Sequence, residues 1–286
     1  GTAQFGMHYG RFNRDGVPSR ETTSRMLTLA ATLGLSCLDT AHLYGESEEV
    51  LGACGPTLGA FSIITKTPRF AEGSIREADA QALKDAFRQS LRSLGQTSVE
   101  ALLIHHPPNL LAPGGERLYD ALRELKSAGL VRKIGVSGYD GDTIETLAEK
   151  FALDIVQLPI NLLDRRLSSS GTLKRLKSAG IEIHARSAFL QGLLLAEPFM
   201  LSKHFDAAKP VLSAFHRACE QSAVAPAHAA LHYLLGISEI DKIIVGVESM
   251  QQFESIFVDF PAELDFDFAP FRVDQVDILN PVLWVN

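Results

Sequence analysis

The feature that most constrains this chain is a unit that recurs along it: a helical run ending on glycine, closely followed by a short β-rich run. Leu122–Gly129 reads LRELKSAG and Leu173–Gly180 reads LKRLKSAG. Each ends on a glycine suited to a left-handed helix cap, and each leads into a short run, Lys133–Gly138 (KIGVSG) and Glu182–Ser187 (EIHARS). Arg25–Gly34 followed by Ser36–Ala41 (SCLDTA) repeats the theme. Leu83, Phe87, Leu91 and Leu94 share one helix face ahead of Gly95. Asp142 and Glu145 predict a capping box, and Pro226 a first-turn proline for a helix through Leu231 and Leu234. Between the helices lie Ser62–Thr67, Ala101–His106, Ile155–Ile160 and Lys242–Val247, short apolar runs of the kind parallel strands show when both faces are covered.

Strict strand–helix alternation over roughly 250 residues predicts an α/β protein, a (β/α)8 TIM barrel. Seven strands are visible; the eighth is expected to lead into Gly1–Phe5 and to be mostly lost, since the sequence opens on Gly rather than Met. A doubly wound open sheet would call for a glycine-rich phosphate turn after a strand. Gly1, Gly6 and Gly10 do not make one, and no GxxxxGK[ST] occurs. No linker divides the chain, so residues 1–286 are expected to form one barrel domain. The connection from Ala188 to about Ala208 is too long for a simple joint and follows a strand, which predicts a lid or binding loop at the barrel mouth. Residues 261–286 form an irregular tail with Phe266, Phe268, Phe271 and the single tryptophan, Trp284, either a strap outside the barrel or a pocket wall.

Charge and cysteine usage exclude several classes. Twenty-seven Lys+Arg against 34 Asp+Glu give a net charge of −7, which argues against sequence-independent nucleic-acid binding. No apolar run approaches the ~18 residues a membrane span requires. Cys37, Cys54 and Cys219 stand far apart without a CxxC, which speaks against a disulfide framework or a metal site and fits a reducing, cytoplasmic compartment. Nothing in the sequence argues a designed interface, so a monomer or weak oligomer is expected.

In a barrel, an ionisable residue at the C-terminal end of a strand invites a catalytic reading. Asp39, Lys66 and His105 end three successive strands, and Tyr44 lies in the loop after the first of them. A phenol with a pKa of about 10 is a poor acid at neutral pH, but an adjacent ammonium favours the phenolate and makes the phenol a usable proton donor. Lys66 is the cation for Tyr44, Asp39 would hold that cation, and His105 can bond the same substrate oxygen. Such a site suits carbonyl reduction, with the hydride supplied by a cofactor because no side chain can supply it.

The elements Asp39–Gly45 (DTAHLYG), Ile64–Lys66 (ITK), Leu103–His105 (LIH) and Ile134–Ser137 (IGVS) resemble those of the aldo-keto reductases, over Gly1 to about Phe257. The resemblance implies a (β/α)8 barrel that binds NADP or NAD in extended form, with the tetrad Asp39, Tyr44, Lys66 and His105 and with Tyr44 as general acid. It implies that Ser137 and Gln157 hold the nicotinamide carboxamide, although Gly138 replaces the family's usual Asn. Ser187, Phe189, Gln191 and Gly192 fall in the loop that wraps the pyrophosphate. Arg186 replaces an aromatic residue commonly stacked on the nicotinamide, and a guanidinium can stack there or meet an anionic substrate. Thr2, in the GTAQFG opening, and Ser249 and Gln252, in VGVESMQQFESI, match cofactor positions. Glu248 stands where an Arg or Lys often meets the 2′-phosphate of NADPH and Ile256 where an Asn is usual, which predicts a weakened NADPH preference.

His42 and His106 are polar where hydrophobic-ligand reductases often place aromatics, which suggests a substrate pocket for a sugar-like or anionic carbonyl compound. The GTAQFGMxYG opening and ARSAFLQGLLL also resemble aldo-keto reductases found with bacterial surface-polysaccharide genes. Two rival readings use the same residues. Lys66 at a barrel strand end can form a Schiff base in a carbon–carbon lyase. Alternatively the chain is a cofactor-binding sensor or partner subunit with slow turnover.

Overall fold

The computed structural model describes residues 1–284. Seven strands, β1 (Cys37–Asp39), β2 (Ser62–Lys66), β3 (Val99–Ile104), β4 (Val131–Ser137), β5 (Ile155–Pro159), β6 (Glu182–Arg186) and β7 (Lys242–Ile243), form one sheet in chain order. All six pairings are parallel. Helices α1 (Arg20–Thr32), α2 (Glu77–Leu94), α3 (Glu116–Ser127), α4 (Gly141–Lys150), α5 (Thr172–Ser178), α6 (Lys209–Gln221), α7 (Pro226–Leu235) and α8 (Met250–Phe257) accompany it. The glycines that end the recurrent units, Gly34, Gly129 and Gly180, have φ of 75°, 72° and 77°, the left-handed geometry expected of them. The capping box falls elsewhere. Asp140 caps α4 by accepting the Thr143 N–H at 2.8 Å, while Glu145 turns to Arg175 and Thr172 of α5.

The sheet is covered on its outer face by the apolar stripes of the helices. Leu83, Phe87, Leu91 and Leu94 of α2 are all buried against it, each contributing roughly 1.5–3 kcal/mol of burial. Inside the curl a second, small core consists of Ile64, Ala101, Leu103 and Ile155, with Cys37 packed on it. Side chains alternate along a strand, so the residue two positions on faces the same way, one layer nearer the mouth. That step leads from Cys37 to Asp39, from Ile64 to Lys66, from Leu103 to His105 and from Ile155 to Gln157. Gly135 shares the middle layer, where a Cβ would stand 1.8 Å from the Ile155 carbonyl oxygen.

Residues 3–6 form one helical turn (Ala3–Gly6) rather than the end of a strand. Gly1 and Thr2 instead lie between the two edges of the sheet: the Gly1 amino group donates to Val245 O at 2.8 Å and the Thr2 N–H to Asp39 O at 2.9 Å. Farther from the mouth, Lys242 Nζ donates to Ser36 Oγ at 3.2 Å. An apolar cavity of about 440 Å³ lies in that region, among Leu33, Leu35, Leu234, Ile243, Phe257 and Phe260. The long connection holds only short 3-10 turns, Leu190–Leu195, Pro198–Met200 and Lys203–Phe205.

The tail packs on the outside. Val273 N–H donates to Leu163 O at 3.0 Å, Arg165 holds the carbonyls of Phe268 and Phe271, and Trp284 meets Phe205 edge-on at 5.0 Å. Trp284 also meets Phe12 edge-on, with ring centres 6.3 Å apart, and Phe12 lines the mouth, so among the described residues the tail adjoins the cavity at one remove. The last two residues of the predicted tail lie outside the described residues.

Candidate active site

The mouth is built on an ion pair. Lys66 Nζ lies 2.7 and 2.8 Å from the two Asp39 carboxylate oxygens and donates to Thr40 O at 2.9 Å. Both side chains are buried. Burial alone would push the Asp39 carboxyl up, but the Lys66 ammonium and the Gln157 hydrogen bond hold it below its ordinary value. Burial works against the Lys66 ammonium, yet Asp39 outweighs it and raises that pKa. Gln157 Nε2 donates to Asp39 Oδ1 at 2.7 Å, and Ser137 Oγ donates to Gln157 Oε1 at 3.2 Å, so four strands, β1, β2, β4 and β5, contribute to one polar layer.

Tyr44 stands above this layer, with its ring centre 5.0 Å from Lys66 Nζ and 5.7 Å from the His105 ring, edge to face. Its loop is set by close backbone approach. Gly45 has φ 57°, and a Cβ there would stand 2.3 Å from Gly6 O; a Cβ on Gly6 would stand 2.1 Å from Tyr44 O. Glycine at both positions lets the opening segment clasp the tyrosine loop. Ser47 Oγ reinforces the clasp by donating to Thr2 O at 2.8 Å. His105 is held neutral: burial first, then the Lys66 charge, lower its pKa from 6.5 to about 3. Its Nδ1 is buried without a hydrogen-bond partner.

A cavity of about 370 Å³ opens over Asp39, Tyr44, His105 and Ser137 and runs past Thr2, Arg186, Ser187, Phe189, Gln191 and Gly192 to Glu248 and Gln252. Its size is that of a ligand pocket. The loop along its side is unusual in its backbone. Ser187, Leu190 and Gln191 have φ of 59°, 47° and 51°, and Gly192 has 91°, a local geometry that can aim successive N–H groups at an anion. At the far end Glu248 is half-buried; burial lifts its carboxyl above its ordinary range, opposed by the Arg14 N–H and reinforced by Asp15.

Five expected residues do not line this cavity: Lys66 is buried beneath it on Asp39, and four others stand elsewhere. Gln157 lies beneath it, fully occupied by Asp39 and Ser137. Ser249 caps α8 by accepting the Gln252 N–H at 3.3 Å. His42 contributes a backbone N–H to Lys66 O at 3.3 Å, and its ring is not on the wall. His106 sits half-buried beside Arg69, where burial and that charge depress its pKa. The reacting end is walled instead by Met7, Tyr9, Leu43 and Tyr139. Burial pushes the Tyr9 phenol up to about 12, so it stays protonated. A sequence signal for Tyr139 exists, since it closely follows β4, where a barrel carries its site, and Tyr9 falls within the GTAQFGMxYG opening.

These features fit a dinucleotide in extended form. The His105 ring and Ser137 line the deep end, left-handed backbone lines the middle, and an acceptor, Glu248, waits at the far end.

A curled parallel α/β sheet buries a Lys–Asp pair at its strand ends under a tyrosine and a histidine, the arrangement of a barrel with its site at the strands' C-terminal mouth. The chain belongs to the aldo/keto reductase family, whose model matches residues 1–270, and the fold is that family's (β/α)8 barrel. It is similar to the aldo-keto reductase YhdN of Bacillus subtilis, 26% identical over 54% of this chain but only 48% of that protein, so the match spans about half of that relative. It is 26% identical to the L-galactose dehydrogenase of Arabidopsis thaliana over 79% of this chain and 73% of that one. Among solved structures, the aldo-keto reductase AKR11C1 of Bacillus halodurans in its holo form superposes with a TM-score of 0.71 over 90% of this chain and 83% of that one, at 20% identity.

Proposed function

We propose that this single-domain barrel reduces an aldehyde or ketone to the alcohol, with Tyr44 as the proton donor. The observation that carries the reading is the position of Lys66. Its ammonium is held by both Asp39 oxygens, 5.0 Å from the Tyr44 ring centre, in a buried layer beneath the cavity. A bound nicotinamide cofactor supplies the hydride. As the carbonyl oxygen gains negative charge, Tyr44 Oη gives it a proton, and the fixed Lys66 charge stabilises the phenolate left behind. His105, neutral across the working pH range, offers an N–H to the same oxygen and so orients the carbonyl carbon. The raised Lys66 pKa keeps the amine protonated, which opposes the Schiff-base alternative.

Thr2, Ser137 and Arg186 serve the nicotinamide end, with Gln157 fixing Ser137. Ser187, Phe189, Gln191 and Gly192 take the pyrophosphate, and Gln252, with α8 capped by Ser249, takes the adenosine end. Glu248 accepts from a free 2′-hydroxyl and repels a 2′-phosphate, which favours NADH over NADPH. The substrate is a small carbonyl compound; the L-galactose dehydrogenase among the relatives supports a sugar-like one. The unpaired cysteines fit the cytoplasm. Tyr44→Phe is expected to abolish carbonyl reduction while leaving dinucleotide affinity unchanged by titration calorimetry; full retained activity rejects the proton-donor assignment. Glu248→Arg is expected to strengthen NADPH binding relative to NADH, and an unchanged ratio rejects the role of Glu248.

A further inference from the structure

Arg186 closes β6 at the reacting end of the cavity. Its guanidinium donates to Gly138 O at 2.9 Å and to Ser187 Oγ at 3.2 Å, and its Cζ lies 4.2 Å from the centre of the Tyr139 ring. Those contacts fix its position, but none of them neutralises it. Among the described residues ten other arginines are paired with carboxylates, and Arg186 is not one of them. The other charged side chains of the wall are accounted for: Asp39 is matched by Lys66, and Glu248 belongs to the opposite end. A half-buried, unmatched cation therefore stands in the same chamber as Tyr44 and His105. Its field reaches the imidazole, where it adds to burial and Lys66 in disfavouring the charged ring.

A hydride can reach a carbon only from a ring in contact with it, and here that carbon's oxygen must lie within reach of Tyr44. The nicotinamide is thus confined to the Arg186 end. In the reduction the carbonyl carbon takes the hydride and its oxygen takes the Tyr44 proton. The ring, neutral before, carries one positive charge afterwards. We infer that Arg186 makes this cavity select the reduced, uncharged nicotinamide over the oxidised, cationic one, so that the site loads fresh cofactor and expels spent cofactor. This rests on the oxidoreductase reading of the same cavity. Two unit charges about 6–8 Å apart, at an effective dielectric constant of about 20–40, correspond to a difference of about five- to a hundredfold in affinity. A grip on the pyrophosphate would act differently, because both redox forms carry that group equally. The signature is therefore the ratio of affinities and not either affinity alone.

Titration calorimetry of the whole chain with NADH and NAD⁺, and with NADPH and NADP⁺, tests it without any substrate. The wild-type protein is expected to bind the reduced member of its preferred pair at least about fivefold more tightly than the oxidised member. Arg186→Gln is expected to bring that ratio to within about twofold by weakening discrimination against the oxidised form, and Arg186→Lys, which keeps the charge, is expected to preserve it. A thermal melt establishes that each variant is folded, and if the Gln variant is not, the wild-type ratio decides. A wild-type ratio within about twofold overturns the inference, as does a Gln variant that weakens both forms by one factor. An effect of Arg186→Gln confined to the KM of carboxylated carbonyl compounds, with the binding ratio unchanged, also overturns it. Absence of any dinucleotide binding overturns the oxidoreductase reading as well.

Discussion

His105 offers a quantitative test of the site's electrostatics. Its imidazole has a pKa of 6.5 when free and about 3 in the folded site, where burial, Lys66 and Arg186 oppose protonation and only Asp39 favours it. As pH falls, the unfolded chain therefore takes up this proton first, and stability drops from pH 6.5 downward until the folded site itself protonates near 3. Between about pH 7.5 and about pH 5 the unfolded state gains about 2 kcal/mol from this group, while the folded state gains almost nothing. His105→Gln removes the titration and keeps a neutral polar side chain. Urea unfolding of both proteins at the two pH values should show the wild type losing about 2 kcal/mol more than the variant. His184 and His106, whose pKa values are also lowered, affect both proteins alike and cancel in the difference. Equal losses in the two proteins would refute the claim that the site holds this imidazole neutral.

Lys66→Met strands the Asp39 carboxylate in the interior and should cost about 3–5 kcal/mol in denaturant unfolding, with Lys66→Met/Asp39→Leu recovering a large part of it. In the wild type the pair should be insensitive to pH across the neutral range. The depressed Asp39 pKa means its contribution is lost only as pH falls below 3.8, and the raised Lys66 pKa means its contribution is lost only as pH rises above 10.5. Gly135→Ala should sharply lower the melting temperature, because the new Cβ would stand 1.8 Å from Ile155 O; Gly59→Ala, which meets nothing within 4 Å, should leave it unchanged.

Much of this architecture was legible in the sequence because it is local and periodic. The glycines at 34, 129 and 180 terminate helices by a backbone geometry that L side chains avoid, and the apolar runs between them have the length of buried strands. Once those strands form a parallel barrel, strand alternation delivers Asp39, Lys66, His105, Ser137, Gln157 and Arg186 to one end without further information. Loop direction was not legible. Asp142 and Glu145 have the spacing of a cap, yet Asp140 takes the helix end because Arg175 and Thr172, on the next helix, claim Glu145. His42 and His106 adjoin the tetrad in sequence and stand off the cavity wall, while Tyr9 and Tyr139, which adjoin none of its residues in sequence, help to form it.

The sequence by itself determined the succession of elements and which residue types meet at the mouth, since both follow from a period and a spacing. Only the tertiary structure decided which of those charges are matched. That Lys66 is neutralised by Asp39 and Arg186 by no carboxylate depends on contacts between strands far apart in the chain. Charge balance in a cavity is a property of three-dimensional neighbours, which no single segment encodes.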